Sequence, residues 1–302
     1  MIFCTSVCSN HLARAKVLAI SLKKHIPDSK LIVCLVEKDH PPLIENDLSF
    51  DEVVLAKDLG VDVEKVISRY NQFEATCAVK AQLLKYAFQQ YDDEDCIIYF
   101  DSDVKLFSSI PEVEEAFRNN FIIFTPYFIT PPEITHTIFG ENAEIEVLKI
   151  GVINAGFIGL KRSAVTDRFL DWWNERLKYY AFIDPKSGFH TDQRWLTEAV
   201  SLFDEIKILK YPGYNIALWN LEQRQITSDG VAYFAKGDPF RFFHFSHLDG
   251  LAEHIDETSI MYPILEEYLL ELKENSEIYP QDYQWSYRKN RAKVRNNKRK
   301  GR

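Results

Sequence analysis

Ile2-Phe3-Cys4-Thr5-Ser6-Val7 reads as a strand; Leu12, Ala15, Leu18, Ala19, Leu22 and Ile26 follow at helical spacing, and Leu31-Ile32-Val33-Cys34-Leu35-Val36 reads as a second strand. Ser9-Asn10 supplies a helix cap between the first two segments, and Pro27 stops the helix. The second strand is almost continuously apolar, as a parallel strand buried on both faces must be. Strand, helix and strand within 36 residues make a βαβ unit, which crosses over right-handed and predicts a doubly wound α/β sheet. Ligands of such sheets bind beyond the carboxyl ends of the strands. The first turn, Cys8-Ser9-Asn10-His11, has neither Gly-x-Gly-x-x-Gly nor a Walker sequence, which disfavours a dinucleotide site or a P-loop.

Outward from this unit, Ile97-Ile98-Tyr99-Phe100 is a further apolar strand, and it runs directly into Asp101-Ser102-Asp103. Two acids delivered to the carboxyl end of a buried strand suit a hard divalent cation, which in turn holds phosphates. An isolated Asp-x-Asp is common in turns and caps; its placement after a βαβ start gives it weight.

The remaining segments fit one large domain. Glu52 to Ala56 reads as a strand, Asp62 to Tyr70 as a short helix, and Phe73 to Tyr91 as one long helix with the stripe Phe73, Cys77, Ala81, Leu84 and Phe88. Lys80 lies at the edge of that stripe, where a lysine either snorkels or meets an anion. Thr125 to Leu148, with three prolines and Gly140, reads as a long irregular loop, and such loops are usually functional. Val152 to Leu160 reads as a strand broken at Asn154-Ala155-Gly156, and Val165 to Tyr180 as an amphipathic helix. A helix opens at His190-Thr191-Asp192-Gln193, Arg241 to His247 is a late strand presenting His244, and Met261 to Leu272 is a last helix. There is no internal repeat.

With 302 residues, 46% hydrophobic and 14% aromatic, the chain has ample material for a core. No apolar run approaches the roughly 20 residues that span a bilayer, and Met1 to Ser6 lacks the marks of a secretory signal. The expected location is the cytoplasm, and the odd set of Cys4, Cys8, Cys34, Cys77 and Cys96 is expected as buried, reduced thiols. The net charge of −9 conceals an asymmetry: residues 288–302 hold nine Lys or Arg and no acid. A basic tail behind Tyr279, Tyr283, Trp285 and Tyr287 suits an anionic membrane surface, while the acidic body would repel nucleic acid.

Taken in order, these motifs resemble the sugar-nucleotide glycosyltransferases of the A-type fold (GT-A), and most of all glycosyltransferase family 8, over roughly residues 3 to 250. Phe3-Cys4-Thr5-Ser6-Val7 is similar to the family's first strand, whose end receives the nucleoside; the resemblance implies that Thr5 and Ser6 contact it. Lys80 falls on a basic helix position that offsets phosphate charge, and Asp101 and Asp103 match the Asp-x-Asp motif. Ile153-Asn154-Ala155-Gly156-Phe157 resembles the family's Phe-Asn-Ala-Gly segment. Thr191-Asp192-Gln193 resembles its Asp-Gln pair beside the acceptor and anomeric carbon, and Arg241 to Ser246 its late His segment. The resemblance implies that His244 joins Asp101 and Asp103 on Mn2+ or Mg2+, and that Asn154, Asp192 and Gln193 hold sugar and acceptor. It departs at Ser246-His247-Leu248-Asp249-Gly250, which lacks the lysine usual there.

The expected organisation is a GT-A catalytic domain over 1–255 with a mixed, mainly parallel sheet, a helical and aromatic extension over 256–287, and a basic, disordered tail over 288–302. The expected activity is metal-dependent transfer of a hexose or hexosamine from a nucleotide sugar, a UDP-sugar by resemblance, to a hydroxyl of a glycan, glycoprotein or lipid-linked acceptor, with retention. Two rivals stand beside it. A haloacid-dehalogenase-like phosphatase also presents an Asp-x-Asp from a strand, but Val104-Lys105 replaces its usual Gly-Thr. A non-catalytic sugar-nucleotide-binding module is the other, and the polar exceptions Lys80, Asn154, Asp192 and His244 argue against it.

Overall fold

The computed structural model describes residues 1–287 apart from 43, 45, 46, 61 and 139. The basic tail therefore lies outside the described residues. Seven strands form the central sheet: β1 (Ile2–Val7), β2 (Lys30–Leu35), β3 (Glu52–Leu55), β4 (Cys96–Phe100), β5 (Ile122–Pro126), β6 (Ile153–Lys161) and β7 (Ile206–Ile208). Their spatial order is β7-β5-β6-β4-β1-β2-β3. Every neighbouring pair is parallel except those of β6, which runs antiparallel to β4 and β5. The reversal brings the beginning of β6 to the edge where β1, β2 and β4 end, so residues far apart in sequence share that edge.

Alternation along the strands divides the core between two faces. Phe3, Val33, Ile98, Phe100 and Phe157 pack beneath α1 (Leu12–His25), while Ile2, Cys4, Ile32, Ile97, Tyr99 and Ile158 pack on the other side. The second face is covered by α2 (Gln72–Ala78), α3 (Lys80–Gln90), α4 (Ala164–Tyr180) and α5 (Gln193–Leu202). The last helix, α6 (Tyr262–Ile278), packs against α1 and contributes Leu265, Tyr268 and Leu272 to the first face.

Beyond it, the chain crosses to the end of β2. Trp285 Nε1 donates to the Val36 carbonyl at 2.9 Å, and the Ser286 N–H donates to Glu37 Oε2 at 2.8 Å. The other oxygen of the buried Glu37 accepts from the Ser9 N–H at 3.1 Å. This one carboxylate ties the C-terminal segment to the turn that follows β1.

Four expectations need correction. The helix expected from Phe73 to Tyr91 is two helices: α2 carries an Asn71–Glu74 capping box, and the chain breaks at Val79. Phe73 is consequently 55% exposed and outside the apolar stripe. Asn154-Ala155-Gly156 does not break its strand; β6 is continuous, and a register shift between Phe124 and Thr125 on the partner absorbs the irregularity. The stretch 125–148 is not all loop, because it holds a small hairpin, Thr137–Ile138 with Glu141–Asn142, and most of the helix Ala143–Ile150. The late strand is short, Phe242–His244, and pairs with Val104–Leu106 directly after the Asp-x-Asp. All five cysteines are free thiols, four of them buried.

Candidate active site

A pocket of about 360 Å3 opens at the shared strand edge. Ser6, His11, Lys80, Asp101, Asp103, Asn154, Asp192, Gln193 and His244 all line it, although they come from six separate parts of the sequence. Each reaches it for a local reason. Ser6 is near the end of β1, Asp101 and Asp103 flank the turn leaving β4, Asn154 begins β6, and Asp192 and Gln193 open α5. The break at Val79 makes Lys80 the first residue of α3. Thr5, expected beside the nucleoside, is fully buried, and its hydroxyl has no hydrogen-bond partner among the described residues.

Lys80 is the centre of charge. Its Nζ lies 2.9 Å from Asp101 Oδ1 and 2.9 Å from Asp192 Oδ2, donates to the Ala155 carbonyl at 3.3 Å, and sits over the Tyr99 ring. Burial works against the ammonium charge, but Asp101 and Asp192 outweigh it and hold the Lys80 pKa well above its ordinary value. Snorkelling is thereby set aside in favour of an anion partner. Tyr99 donates to Asp101 Oδ1 at 3.0 Å, and its hydroxyl is 2.9 Å from Ser6 Oγ, which links the end of β1 to the first acid.

Beside this pair lies a candidate metal centre. One ligand atom each of Asp101, Asp103 and His244 falls within 4.8 Å of the other two. His244 Nε2 is 3.1 Å from Asp103 Oδ1 and 3.8 Å from Asp101 Oδ2. Bonds of about 2.0–2.3 Å place the ligands of one ion within roughly 4.6 Å of each other, so little movement is needed to close the three around a cation. Burial penalises protonated His244, yet Asp103 more than offsets this and raises its pKa. Burial likewise opposes the Asp103 charge, and His244 outweighs it, holding the carboxyl well below the usual range. Arg14, on α1, approaches the other Asp103 oxygen at 3.6 Å. A carboxylate pair with one imidazole fits Mn2+ or Mg2+ better than a soft-metal site.

On the other side of the pocket the amides converge. Gln193 Oε1 accepts from the Ala155 N–H at 3.3 Å and from Asn154 Nδ2 at 3.4 Å. Gln193 Nε2 donates to the Ile150 carbonyl and to the Tyr127 hydroxyl, each at 3.0 Å. Burial pushes Tyr127 up to about 12, so its hydroxyl stays protonated.

Sequence reading missed Tyr99, Tyr127, Arg14, Asn215 and Trp219. The last two lie in Tyr211-Pro212-Gly213-Tyr214-Asn215-Ile216-Ala217-Leu218-Trp219-Asn220. The Pro-Gly pair was a turn signal, and a Cβ on Gly213 would stand 2.1 Å from the Pro239 carbonyl oxygen. That close approach seats the segment beside Phe242–His244, with the His244 N–H bonded to the Ile216 carbonyl at 2.8 Å.

No family model matches the chain. Two Bacillus subtilis (strain 168) proteins are similar to it: uncharacterized protein YfnF, 24% identical over 250 residues covering 81% of this chain and 80% of the relative, and uncharacterized protein YfnD, 22% identical over 286 residues covering 90% and 88%. Among solved structures it resembles the galactosyltransferase LgtC in complex with donor and acceptor sugar analogs, with a TM-score of 0.53, 16% identity, and coverage of 91% of this chain and 96% of that one. It also resembles the glycosyltransferase GlyE of Streptococcus pneumoniae TIGR4, with a TM-score of 0.50, 14% identity, and coverage of 94% and 65%. The fold expected from sequence is therefore observed: a mixed, mostly parallel sheet of the kind GT-A glycosyltransferases have, with a C-terminal helix.

Proposed function

We propose that this chain is a metal-dependent glycosyltransferase, moving a hexosyl or hexosaminyl group from a UDP-sugar to a hydroxyl of a glycan, glycoprotein or lipid-linked acceptor. The observation that carries the reading is the convergence of Asp101, Asp103 and His244 beside the buried Lys80–Asp192 pair, at the strand edge where this fold binds ligands. In this reading Asp101, Asp103 and His244 hold Mn2+ or Mg2+, which when bound neutralises charge growing on the departing diphosphate. Ser6 faces the nucleoside, Lys80 keeps Asp101 and Asp192 in place and adds positive charge, and Asn154, Asp192 and Gln193 orient sugar and acceptor.

Retention is also proposed, without a covalent intermediate. One Asp192 oxygen is held by Lys80, and the Gln193 amide, a weak nucleophile, is bonded on both sides, which favours direct displacement over a covalent intermediate. Displacement on the face of the leaving group needs the acceptor hydroxyl held beside the departing phosphate, whose oxygen takes the hydroxyl proton. The phosphatase rival gains nothing from the fold, since the solved structures named above are glycosyltransferases.

No helix among the described residues is long and apolar enough to cross a membrane. The nine basic residues of 288–302 are proposed to attach the protein to an anionic surface, each worth on the order of 1 kcal/mol. Removing residues 288–302 should abolish sedimentation with phosphatidylserine vesicles; unchanged sedimentation refutes attachment through the tail. The transferase reading is tested on a panel of nucleotide sugars with and without Mn2+, by thermal shift and by donor hydrolysis. A ligand that binds only the native state raises its melting temperature. Asp103→Asn should abolish both the metal-dependent shift and the hydrolysis; wild-type turnover in that variant at saturating Mn2+ rules the assignment out.

A further inference from the structure

Asn215 belongs to no motif of the sequence, is completely buried, and touches both halves of the pocket. Its Nδ2 donates to Asn154 Oδ1 at 3.0 Å and to Thr125 Oγ1 at 3.0 Å. Its Oδ1 lies 3.2 Å from His244 Nδ1. The backbone is held as well, for Asn220 Nδ2 donates to the Asn215 carbonyl at 3.0 Å.

The direction of each bond follows from one fixed donor. The Gly156 N–H donates to Asn154 at 2.9 Å, so the Asn154 atom facing it is the oxygen. The Asn215 atom facing that oxygen must be a donor, its Nδ2. The remaining atom of the Asn215 amide is an acceptor, and it faces His244 Nδ1. His244 therefore carries a proton on Nδ1, and Nε2 is the nitrogen left toward Asp101 and Asp103. A ligating imidazole is regularly fixed in this way by a partner on its second nitrogen.

We propose that Asn215 is a positioning residue that passes the orientation of Asn154, set by the Gly156 N–H, on to His244 by fixing the tautomer of its imidazole, coupling the sugar side of the pocket to the metal side. The inference rests on the metal-dependent transferase reading. It predicts that the two sides cannot be disturbed independently at this position, although His244 and Asn154 are 90 residues apart in sequence. The backbone conformation is part of the arrangement: Asn215 has φ +47°, in the left-handed region that asparagine tolerates better than most residues.

That conformation also dictates the test. Asn215→Leu would add backbone strain, whereas Asn215→Gly removes all three side-chain hydrogen bonds and keeps the favoured backbone. Mn2+ binding is measured by calorimetry on the full-length wild type, Asn215→Gly and Asn215→Asp, together with melting temperature and the separate kcat and KM of donor hydrolysis. Loss of such a second-nitrogen partner should weaken Mn2+ binding about 10- to 100-fold in Asn215→Gly. Asn215→Asp, which keeps an acceptor for Nδ1–H, should recover most of that affinity. In Asn215→Gly kcat should fall even at saturating Mn2+, because Asn154 has lost one of the two donors that hold its Oδ1. A folded Asn215→Gly with wild-type Mn2+ affinity overturns the inference and leaves the transferase reading standing. A wild-type chain that binds no Mn2+ overturns the metal centre and the inference with it. Nucleotide-sugar consumption by the wild type reports on the transferase reading separately.

Discussion

Gly156→Ala tests the metal centre from the side of the backbone. A Cβ at this position would stand 2.4 Å from His244 Cε1, 2.7 Å from His244 Nδ1 and 2.8 Å from Asn154 Oδ1. Comfortable carbon contacts begin at about 3.5 Å, so the imidazole must retreat by roughly 1 Å. It has little room: Nδ1 is bonded to Asn215, and the Trp219 ring packs against it edge-on with centroids 5.3 Å apart. Forcing a methyl into such a site costs about 1–3 kcal/mol. At about 2 °C per kcal/mol for a domain of this size, the melting temperature should fall by roughly 2–6 °C. The metal consequence is larger, because ligand positions are tolerated to only about ±0.2 Å. Mn2+ affinity measured by calorimetry should therefore drop by at least about tenfold, a change expected when a site's supporting contacts are lost. Gly159→Ala on the same strand is the control. Its Cβ would meet Ile123 and Phe117 at 3.2 Å, away from the ligands, so it should cost stability and spare Mn2+ binding. If Gly156→Ala keeps both wild-type stability and wild-type affinity, His244 is not held where the argument needs it.

Lys80→Met should destabilise the protein by about 3–5 kcal/mol, the cost of removing one partner from a buried ion pair, because Asp192 is only 2% exposed and loses its cation. Denaturant unfolding measures this, and a loss below 1 kcal/mol, well short of that range, would mean that Asp192 is not paired as described. Asp47 gives a pH test remote from the pocket. Burial opposes its charge, but Lys16, Ser49 and Tyr279 outweigh that and bring its carboxyl down to about 2. A depressed carboxyl contributes stability above its unfolded pKa near 3.9 and loses it as pH falls through the folded value. Between about pH 5 and pH 2, stability should therefore decline by about 1 kcal/mol more in the wild type than in Asp47→Asn, after allowance for solvent screening. Parallel pH profiles for the two proteins would contradict the hold of Lys16, Ser49 and Tyr279 on the Asp47 carboxylate.

Why the sheet and the acids were legible while Asn215 was not follows from the range of the forces involved. Burial on both faces writes itself into local sequence as apolar runs, so Ile2 to Val7, Leu31 to Val36 and Ile97 to Phe100 announce strands without reference to the rest of the chain. Charged residues at the ends of such runs stand out for the same reason, and Lys80, Asp101 and Asp103 were visible as exceptions to an apolar pattern. Phe73 shows the limit of that logic: its spacing fits the stripe of a single long helix, but the Asn71–Glu74 capping box that starts a separate helix and the break at Val79 turn it outward. Asn215 lies further still from any local rule. Its place is decided by the reversal of β6, which carries Asn154 to the edge where β4 ends, and by the approach of Gly213 to Pro239, which lays the 213–217 segment beside His244. A buried amide that satisfies one donor and two acceptors on three other elements has no periodicity to betray it. Such a residue is tolerated in the interior because its hydrogen bonds are made, and those partners came into view only when the sheet order was known.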